Sequence, residues 1–274
     1  MARPLWVVHL LKHMFGLRFL GAEMTKLPVI GQLMERALFN GHRTGDALFY
    51  LPKDRVLIQE AIEEQDNFVV PSDVVTHFIE ETNYIFLMDK CICREAANCQ
   101  DYDHSIGCIF LGEGVLDINP RLGRMVDKAT ALAHVQRARD AGLVHLIGRD
   151  KIDAVWMGVK PSTRLMTICN CCPCCCLFRF LPNLALKLQK KIERMPGVHV
   201  EVTEDCTGCG LCVNDICFIN AIEVVDGRAV ISDICRGCGR CAEVCPQNAI
   251  RVIVDDQDFV KVTIRRLAEA VDVH

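Results

Sequence analysis

Eighteen of the 274 residues are cysteine, and their spacing suits metal chemistry. The clearest pattern is an internal repeat, in which "CTGCGLCVNDICFINAIEVV" at 206–225 is echoed by "CRGCGRCAEVCPQNAIRVI" at 235–253. Each copy runs C-x2-C-x2-C, then a fourth cysteine, then Asn-Ala-Ile and a strand-like stretch. A cubane iron–sulfur cluster needs four converging thiolates. Cysteines at every third residue of a loop wrap three of them around one face, and a remote fourth closes the other side. Gly208, Gly210, Gly237 and Gly239 keep the loops small enough for backbone N–H groups to approach the sulfurs. A zinc ribbon needs only one cysteine pair per knuckle. The third cysteine at the same spacing in both copies, with Cys245-Pro246 in the second, therefore argues against zinc.

In two-cluster ferredoxins the fourth cysteine of each run ligates the other cluster. By that rule Cys206, Cys209, Cys212 and Cys245 hold one [4Fe-4S] cluster, and Cys235, Cys238, Cys241 and Cys217 hold the second. This stretch, residues 197–256, resembles the bacterial-type two-[4Fe-4S] (dicluster) ferredoxin domain. It departs from that pattern in the first copy, where four residues separate Cys212 from Cys217 instead of three and Phe218 replaces the usual proline. The insertion is expected to loosen the second cluster's geometry and shift its potential.

Ten cysteines remain. Four lie in "CICREAANCQDYDHSIGCIFLG" (Cys91, Cys93, Cys99, Cys108), and six crowd into eight positions of "CNCCPCCC" (Cys169, Cys171, Cys172, Cys174, Cys175, Cys176). Cysteines buried merely as small hydrophobes do not cluster so densely, because adjacent side chains point in different directions and only a metal core can use them all. A metallothionein-like thiolate cluster is the rival reading. Against it, the flanking "RLMTI" and "LFRFLPNLALKL" read as segments of a folded core.

The middle of the chain resembles a group of ferredoxin-like proteins of anaerobic bacteria and archaea. These carry a C-x-C-R element, then GC-I-x-LG, GLVH and C-N-C-C-x-C-C-C ahead of a dicluster domain. Here the elements are Cys91-Ile92-Cys93-Arg94, Gly107-Cys108 with Leu111-Gly112, Gly142-Leu143-Val144-His145, and Cys169 to Cys176. The resemblance implies iron–sulfur binding and anaerobic redox metabolism, without a particular reaction. At least one additional [4Fe-4S] or unusual iron–sulfur cluster is expected, ligated jointly by the two cysteine elements. Two further cubanes, or one with surplus thiols, would also use these residues. Arg94 either lies beside such a cluster or, as the favoured reading, pairs with a carboxylate. His104, His134 and His145 lack ligand spacing and read as polar or core histidines.

The elements that must position these thiols suggest an α+β protein. A helical N-terminal segment (1–70) has breaks expected near Gly16, Gly21 and Pro28. A cysteine-rich α+β domain (71–182) follows, with a helix opening near Ser72 and a strand at Tyr84–Met88 that delivers the chain to Cys91. Asp127 caps a helix through "KATALAHVQRARDA", and Gly142 ends it. "LVHLIG" and "IDAVWMGV" then read as two strands around a polar turn, and helix followed by hairpin is winged-helix-like. An ordinary α+β packing unit is the favoured alternative, since that helix shows only Lys128, Arg137 and Arg139 as cations. A basic linker helix (183–196), the ferredoxin-like dicluster domain (197–258) and a C-terminal helix (259–274) complete the chain. Within the dicluster domain, Asp226-Gly227 marks a hairpin turn.

Bulk properties narrow the function. The length and a 51% hydrophobic content allow folded cores. The apolar start lacks a small-residue cleavage site, so a reducing cytoplasmic compartment with free thiols is expected. His9, Lys12, His13 and Arg18 break the N-terminal stretch well short of a spanning helix. That stretch reads as a helical cap on the body or on a partner, or as an in-plane membrane helix bearing Trp6. Residues 201–258 carry eleven acidic against four basic side chains, whereas residues 1–58 carry eight basic against four acidic. An acidic ferredoxin domain disfavours nucleic acid and suits docking to a basic partner protein.

Electron transfer among redox partner proteins, as a carrier or as a subunit of an oxidoreductase, is the expected function. A reductase with a substrate-binding cluster in the middle domain is one alternative. A redox-sensing DNA-binding protein is the other. No P-loop or G-x-G-x-x-G follows a strand.

Overall fold

The apolar run that leads into the densest cysteines, Met166–Cys171, forms strand β8 inside a six-stranded sheet. The computed structural model describes residues 2–38, 47–53, 56–58, 68–69, 72–189, 192, 194–255 and 258–274. The sheet order is β1 (Ala47–Tyr50), β7 (Val144–Arg149), β8, β5 (Ile109–Leu111), β4 (Ile85–Met88) and β6 (Gly123–Met125), with every neighbouring pair antiparallel. The inner strands are apolar on both faces because both faces are covered.

On one face, Phe49, Ile147, Ile168 and Leu87 pack against α4 (Ser72–Glu81), α6 (Lys128–Asp140) and α10 (Phe259–Ala268). On the other, Leu48, Tyr50, Leu146 and Phe110 lie under α1 (Leu5–His13), α2 (Arg18–Met24), α7 (Lys151–Met157) and the 3-10 stretch Leu177–Asn183. Each fully buried Leu, Ile or Phe contributes about 1.5–3 kcal/mol, so this double layer makes the sheet a rigid base for the thiols.

A second sheet runs β3 (Phe68–Val69), β2 (Val56–Ile58), β12 (Ile250–Val254), β9 (Val198–Val202). Strand β12 is antiparallel to β9 and parallel to β2. Strands β10 (Ile222–Val225) and β11 (Arg228–Ile231) form the expected hairpin. Asp226 (φ 49°) and Gly227 (φ 77°) supply the two left-handed residues that its tight turn requires. Helices α3 (Pro28–Leu38), α5 (Ile92–Ala96), α8 (Leu186–Gln189) and α9 (Arg240–Glu243) complete the set.

The mixed helix-and-sheet architecture agrees with the α+β expectation. Asp127 caps α6, its carboxylate accepting from the Thr130 N–H at 2.8 Å, and Gly142 (φ 73°) follows the helix end. Four local expectations need correction. Among the described residues the linker segment 183–196 is α-helical only over α8. Breaks occur near Gly16, as the 3-10 stretch Met14–Leu17, and near Pro28, at residues 25–27, but helix α2 continues through Gly21. Beyond Leu38 the N-terminal segment is not wholly helical, since β1, β2 and β3 fall within it; residues 39–46 and much of 54–71 lie outside the described residues. The expected second strand "IDAVWMGV" is helix α7, so no winged-helix hairpin forms. There the Asp150 carboxylate accepts from the Asp153 N–H at 2.6 Å and caps the helix, while β7 pairs with β1 and β8. A short apolar run does not by itself separate strand from helix. Among the described residues no helix is long and apolar enough to cross a membrane.

Candidate metal centres

Side chains alternate across a strand, so β8 sends Cys169 and Cys171 to one face and Asn170 to the other. Asn170 then locks the sheet to the loop that carries Cys108. Its Oδ1 lies 2.9 Å from His145 Nδ1, and its Nδ2 donates to the Gly107 carbonyl at 2.8 Å. His134 Nε2 lies 3.0 Å from the same carbonyl, and His104 Nε2 lies 2.8 Å from the Cys99 carbonyl, so all three histidines are polar core or loop residues. Gly107 cannot be larger, because a Cβ there would stand 2.2 Å from the Met88 carbonyl oxygen. Arg94 is completely buried and donates to the carbonyls of Asn170, at 2.9 Å, and Ile106. The expected carboxylate partner is thus replaced by backbone, and the guanidinium reaches Cys91, Cys108 and Cys172 electrostatically.

The ten cysteines of the middle region fall into two sets, and each set draws on both sequence elements. In the first, Cys91 contacts Cys93 and Cys108, and Cys108 lies 3.5 Å from Cys169. Cys169 contacts Cys171, which contacts Cys176; Cys176 in turn lies within electrostatic reach of Cys93, closing a ring of six. The six thiols, together with Cys172, line a cavity of about 40 Å³ beside Asp153 and Trp156. Burial pushes the Asp153 carboxyl up to about 6, against the opposing hydrogen bonds from Thr167 and Asp150.

The second set is Cys99, Cys172, Cys174 and Cys175. The turn that follows β8 carries Cys174 and Cys175 away from the first set, while Cys172 stays at the edge of the six-thiol cavity. Their sulfurs all lie within 4.8 Å of one another, with Cys99 and Cys174 at 3.6 Å. Burial pushes the Cys175 thiol up to about 12.

In the C-terminal region Cys206, Cys209, Cys212 and Cys245 line one small cavity with Gly208 and Gly210. Backbone N–H groups point at the sulfurs: Ala229 donates to Cys206 at 3.3 Å, and Ala249 to Cys245 at 3.3 Å. Cys217, Cys235, Cys238 and Cys241 form a second group within mutual electrostatic reach. Here Ala221 donates to Cys217 at 3.2 Å and Gly237 to Cys235 at 3.4 Å. Burial pushes the Cys238 thiol up to about 11 and raises Cys235 and Cys241 as well. The inserted residue lies in a loop where Asp215 takes a left-handed conformation (φ 55°), and Cys217 still stands with the other three. Thiolates converging on one cavity beneath aimed N–H groups suit a cubane's sulfur-rich core, and all eighteen cysteines are free.

Two residues outside the expected ligand set join the halves. Tyr50, at the end of β1, is fully buried, with its hydroxyl 3.6 Å from Cys176 Sγ and its ring 4.6 Å from that of Phe218, next to Cys217. Arg240, between Cys238 and Cys241, donates to the Cys171 carbonyl, and the Lys53 N–H donates to the Cys238 carbonyl at 3.1 Å. Only Arg240 had a visible clue, a cation inside a cysteine run.

Residues 229–251 match the 4Fe-4S binding domain family, a span that holds Cys235, Cys238, Cys241 and Cys245. The chain is 45% identical over 68 residues to the indolepyruvate oxidoreductase subunit IorA of Archaeoglobus fulgidus, covering 23% of this chain and 11% of that protein. It is 28% identical over 183 residues to the Escherichia coli protein named "Putative oxidoreductase UacF", covering 65% of this chain and 23% of that protein. It therefore spans less than a quarter of either relative's length. No solved structure matches. Together with the gathered cysteines, these similarities support an iron–sulfur electron-transfer role.

Proposed function

We propose that the protein is an iron–sulfur electron carrier, working with redox partner proteins in the anaerobic metabolism of a reducing cytoplasm. Two [4Fe-4S] clusters are held in the C-terminal domain, one by Cys206, Cys209, Cys212 and Cys245 and one by Cys217, Cys235, Cys238 and Cys241. At least one more iron–sulfur cluster is held in the middle domain, at the six-thiol cavity of Cys91, Cys93, Cys108, Cys169, Cys171 and Cys176. Such clusters, when bound, supply reversible one-electron exchange.

The residues of the chain do the rest. N–H groups aimed at the sulfurs stabilise added negative charge, and the apolar surround excludes water. The observation that carries this reading is the junction: Cys171, Cys176, Tyr50 and Phe218 belong to one buried hydrophobic cluster, and Cys217, Cys235 and Cys238 pack against it. Iron, acid-labile sulfide and stepwise reductive titration of anaerobically purified protein test it, since sulfide accounting only for the C-terminal pair of cubanes would refute the middle-domain cluster.

A reductase is the second reading. Its support is specific: six thiols exceed the four a cubane takes, and the cavity they line is partly open beside Asp153. A reduced-state resonance signal that changes when small anionic or π-acid ligands are added would favour it.

At the N-terminus, Trp6, Leu10, Leu17, Leu20, Leu27 and Leu33 are each about half or more exposed (48–66%) along α1 to α3, a large apolar surface that supports peripheral membrane contact.

A further inference from the structure

We infer that Cys99, Cys172, Cys174 and Cys175 form a separate mononuclear site, a single divalent ion held tetrahedrally by four thiolates, distinct from every iron–sulfur cluster of the chain. The inference rests on the reading above only in leaving the six-thiol cavity to the middle-domain cluster.

Distance separates the two chemistries. A zinc ion binds thiolate sulfur at about 2.3 Å, so the sulfurs of a tetrahedral site stand about 3.8 Å apart. In a cubane each thiolate sits on its own iron at the corner of a four-iron, four-sulfide core, and that core holds the thiolates much farther apart. Here all four sulfurs lie within 4.8 Å of one another, and Cys99 is 3.6 Å from Cys174. The structure contains its own comparison. Among the described residues no other group of three or more His, Cys, Asp or Glu ligand atoms is drawn so tightly together, and neither ferredoxin set is.

The surroundings fit a closed structural site. Cys99, Cys172 and Cys175 are buried, and Ile106, Ala138 and Leu143 form an apolar wall beside them, with Tyr102 packed at its edge. Four thiolates around a divalent ion leave a net charge of −2, which needs donors and a cation. The N–H groups of Asp101 and Tyr102 point at Cys99, and the Arg94 guanidinium contacts Cys172. Four soft sulfur donors with tetrahedral spacing select zinc or ferrous iron. The ion would clamp the loop that follows α5 to the turn that follows β8. That clamp fixes the direction in which Cys169, Cys171 and Cys176 face their cavity.

The test uses full-length protein purified anaerobically, wild type beside Cys99→Ser and Cys174→Ser, with zinc, iron and acid-labile sulfide measured per chain. The expected result is loss of about one metal ion in either variant, with sulfide unchanged. Loss of about four irons and about four sulfides would overturn the inference, because only a cluster carries sulfide. Should the variants not fold, wild type decides alone. A zinc-edge absorption spectrum showing four sulfurs at about 2.3 Å and no nearby metal supports a zinc site, and iron exceeding sulfide by about one per chain supports an iron one. Iron equal to sulfide with zinc absent contradicts it. The wild-type sulfide total separately tests the middle-domain cluster, so the two ideas fail in different columns of the same measurement.

Discussion

Tyr50 reaches across the molecule to Cys176, its hydroxyl 3.6 Å from the sulfur, while Phe218 packs on its ring. A hydrogen bond to a charged acceptor contributes about 1.5–3 kcal/mol, and donors to cluster sulfurs favour the more negative, reduced state. Tyr50→Phe keeps the ring and removes the donor. The middle-domain cluster's reduction potential should fall by roughly 60 mV or more, with the two ferredoxin potentials moving much less. Redox titration followed by electron paramagnetic resonance measures this, and three unchanged potentials would show that the hydroxyl is a bystander.

Arg240 ties the loop between Cys238 and Cys241 to the carbonyl of Cys171. Arg240→Met leaves that carbonyl without its donor, at a cost of about 1–3 kcal/mol. The expected outcome is faster amide hydrogen exchange in β1 and β8, together with slower electron passage between the halves after rapid reduction of the proposed C-terminal clusters. Unaltered exchange and transfer would show that the contact does not hold the halves together.

Gly107 and Gly208 answer to close backbone approaches. A Cβ on Gly107 would lie 2.2 Å from the Met88 oxygen, and one on Gly208 would lie 2.2 Å from the Gly227 oxygen, where φ is already +64°. Gly107→Ala should cost about 1–3 kcal/mol or more in chemical denaturation and lower the iron content by displacing Cys108. Gly208→Ala should disturb only the C-terminal cysteine region. Wild-type stability in both would mean that the backbone gives way more cheaply than these distances imply.

Burial holds the His134 imidazolium below its usual range, against the opposing hydrogen bond to Gly107. A folded pKa below the unfolded value, about 6.5, means that the unfolded chain binds the proton first. Stability is therefore full above about pH 6.5 and falls as pH drops through the lower folded value. Melting temperature measured between pH 5 and pH 7.5 should decline at the acid end in wild type and decline less in His134→Gln. Identical profiles would remove His134 as the cause.

Trp6 and Leu20 are 66% and 60% exposed on the N-terminal helices. Sedimentation with anionic vesicles should pellet wild type, and replacing both residues by Ala should weaken partitioning at least about tenfold, given about 1.5–3 kcal/mol per buried large apolar side chain. Wild type remaining in the supernatant would instead point to a protein partner for this surface.

What the sequence made legible was what short-range spacing determines. The C-x2-C-x2-C repeats identified their own cysteines because a loop of fixed period positions its thiolates without help from the rest of the chain. Asp127, Gly142 and the Asp226-Gly227 turn were legible for the same reason. The division of the other ten cysteines was not, because it depends on where β8 ends: at Cys171 the chain leaves the sheet, and the turn sends Cys172, Cys174 and Cys175 toward Cys99 while Cys176 returns to the six-thiol set. Helix α7 was misread because its apolar run satisfies both periodicities, and the capping role of Asp150 outweighed strand propensity. Arg94 was expected to find a carboxylate, yet burial placed it among carbonyls and thiols. Tyr50 carried no signal at all, since its partners lie 126 residues or more away along the chain.

The most direct test of electron transfer through clusters in both halves is iron and acid-labile sulfide per chain on anaerobically purified protein, combined with paramagnetic resonance during stepwise reduction. About twelve or more irons, matched by about as many sulfides, are predicted. Reduced-state signals should be broadened by interaction between the ferredoxin clusters and the middle-domain cluster. About eight of each, with signals of an isolated two-cluster ferredoxin, would contradict a cluster in the six-thiol cavity.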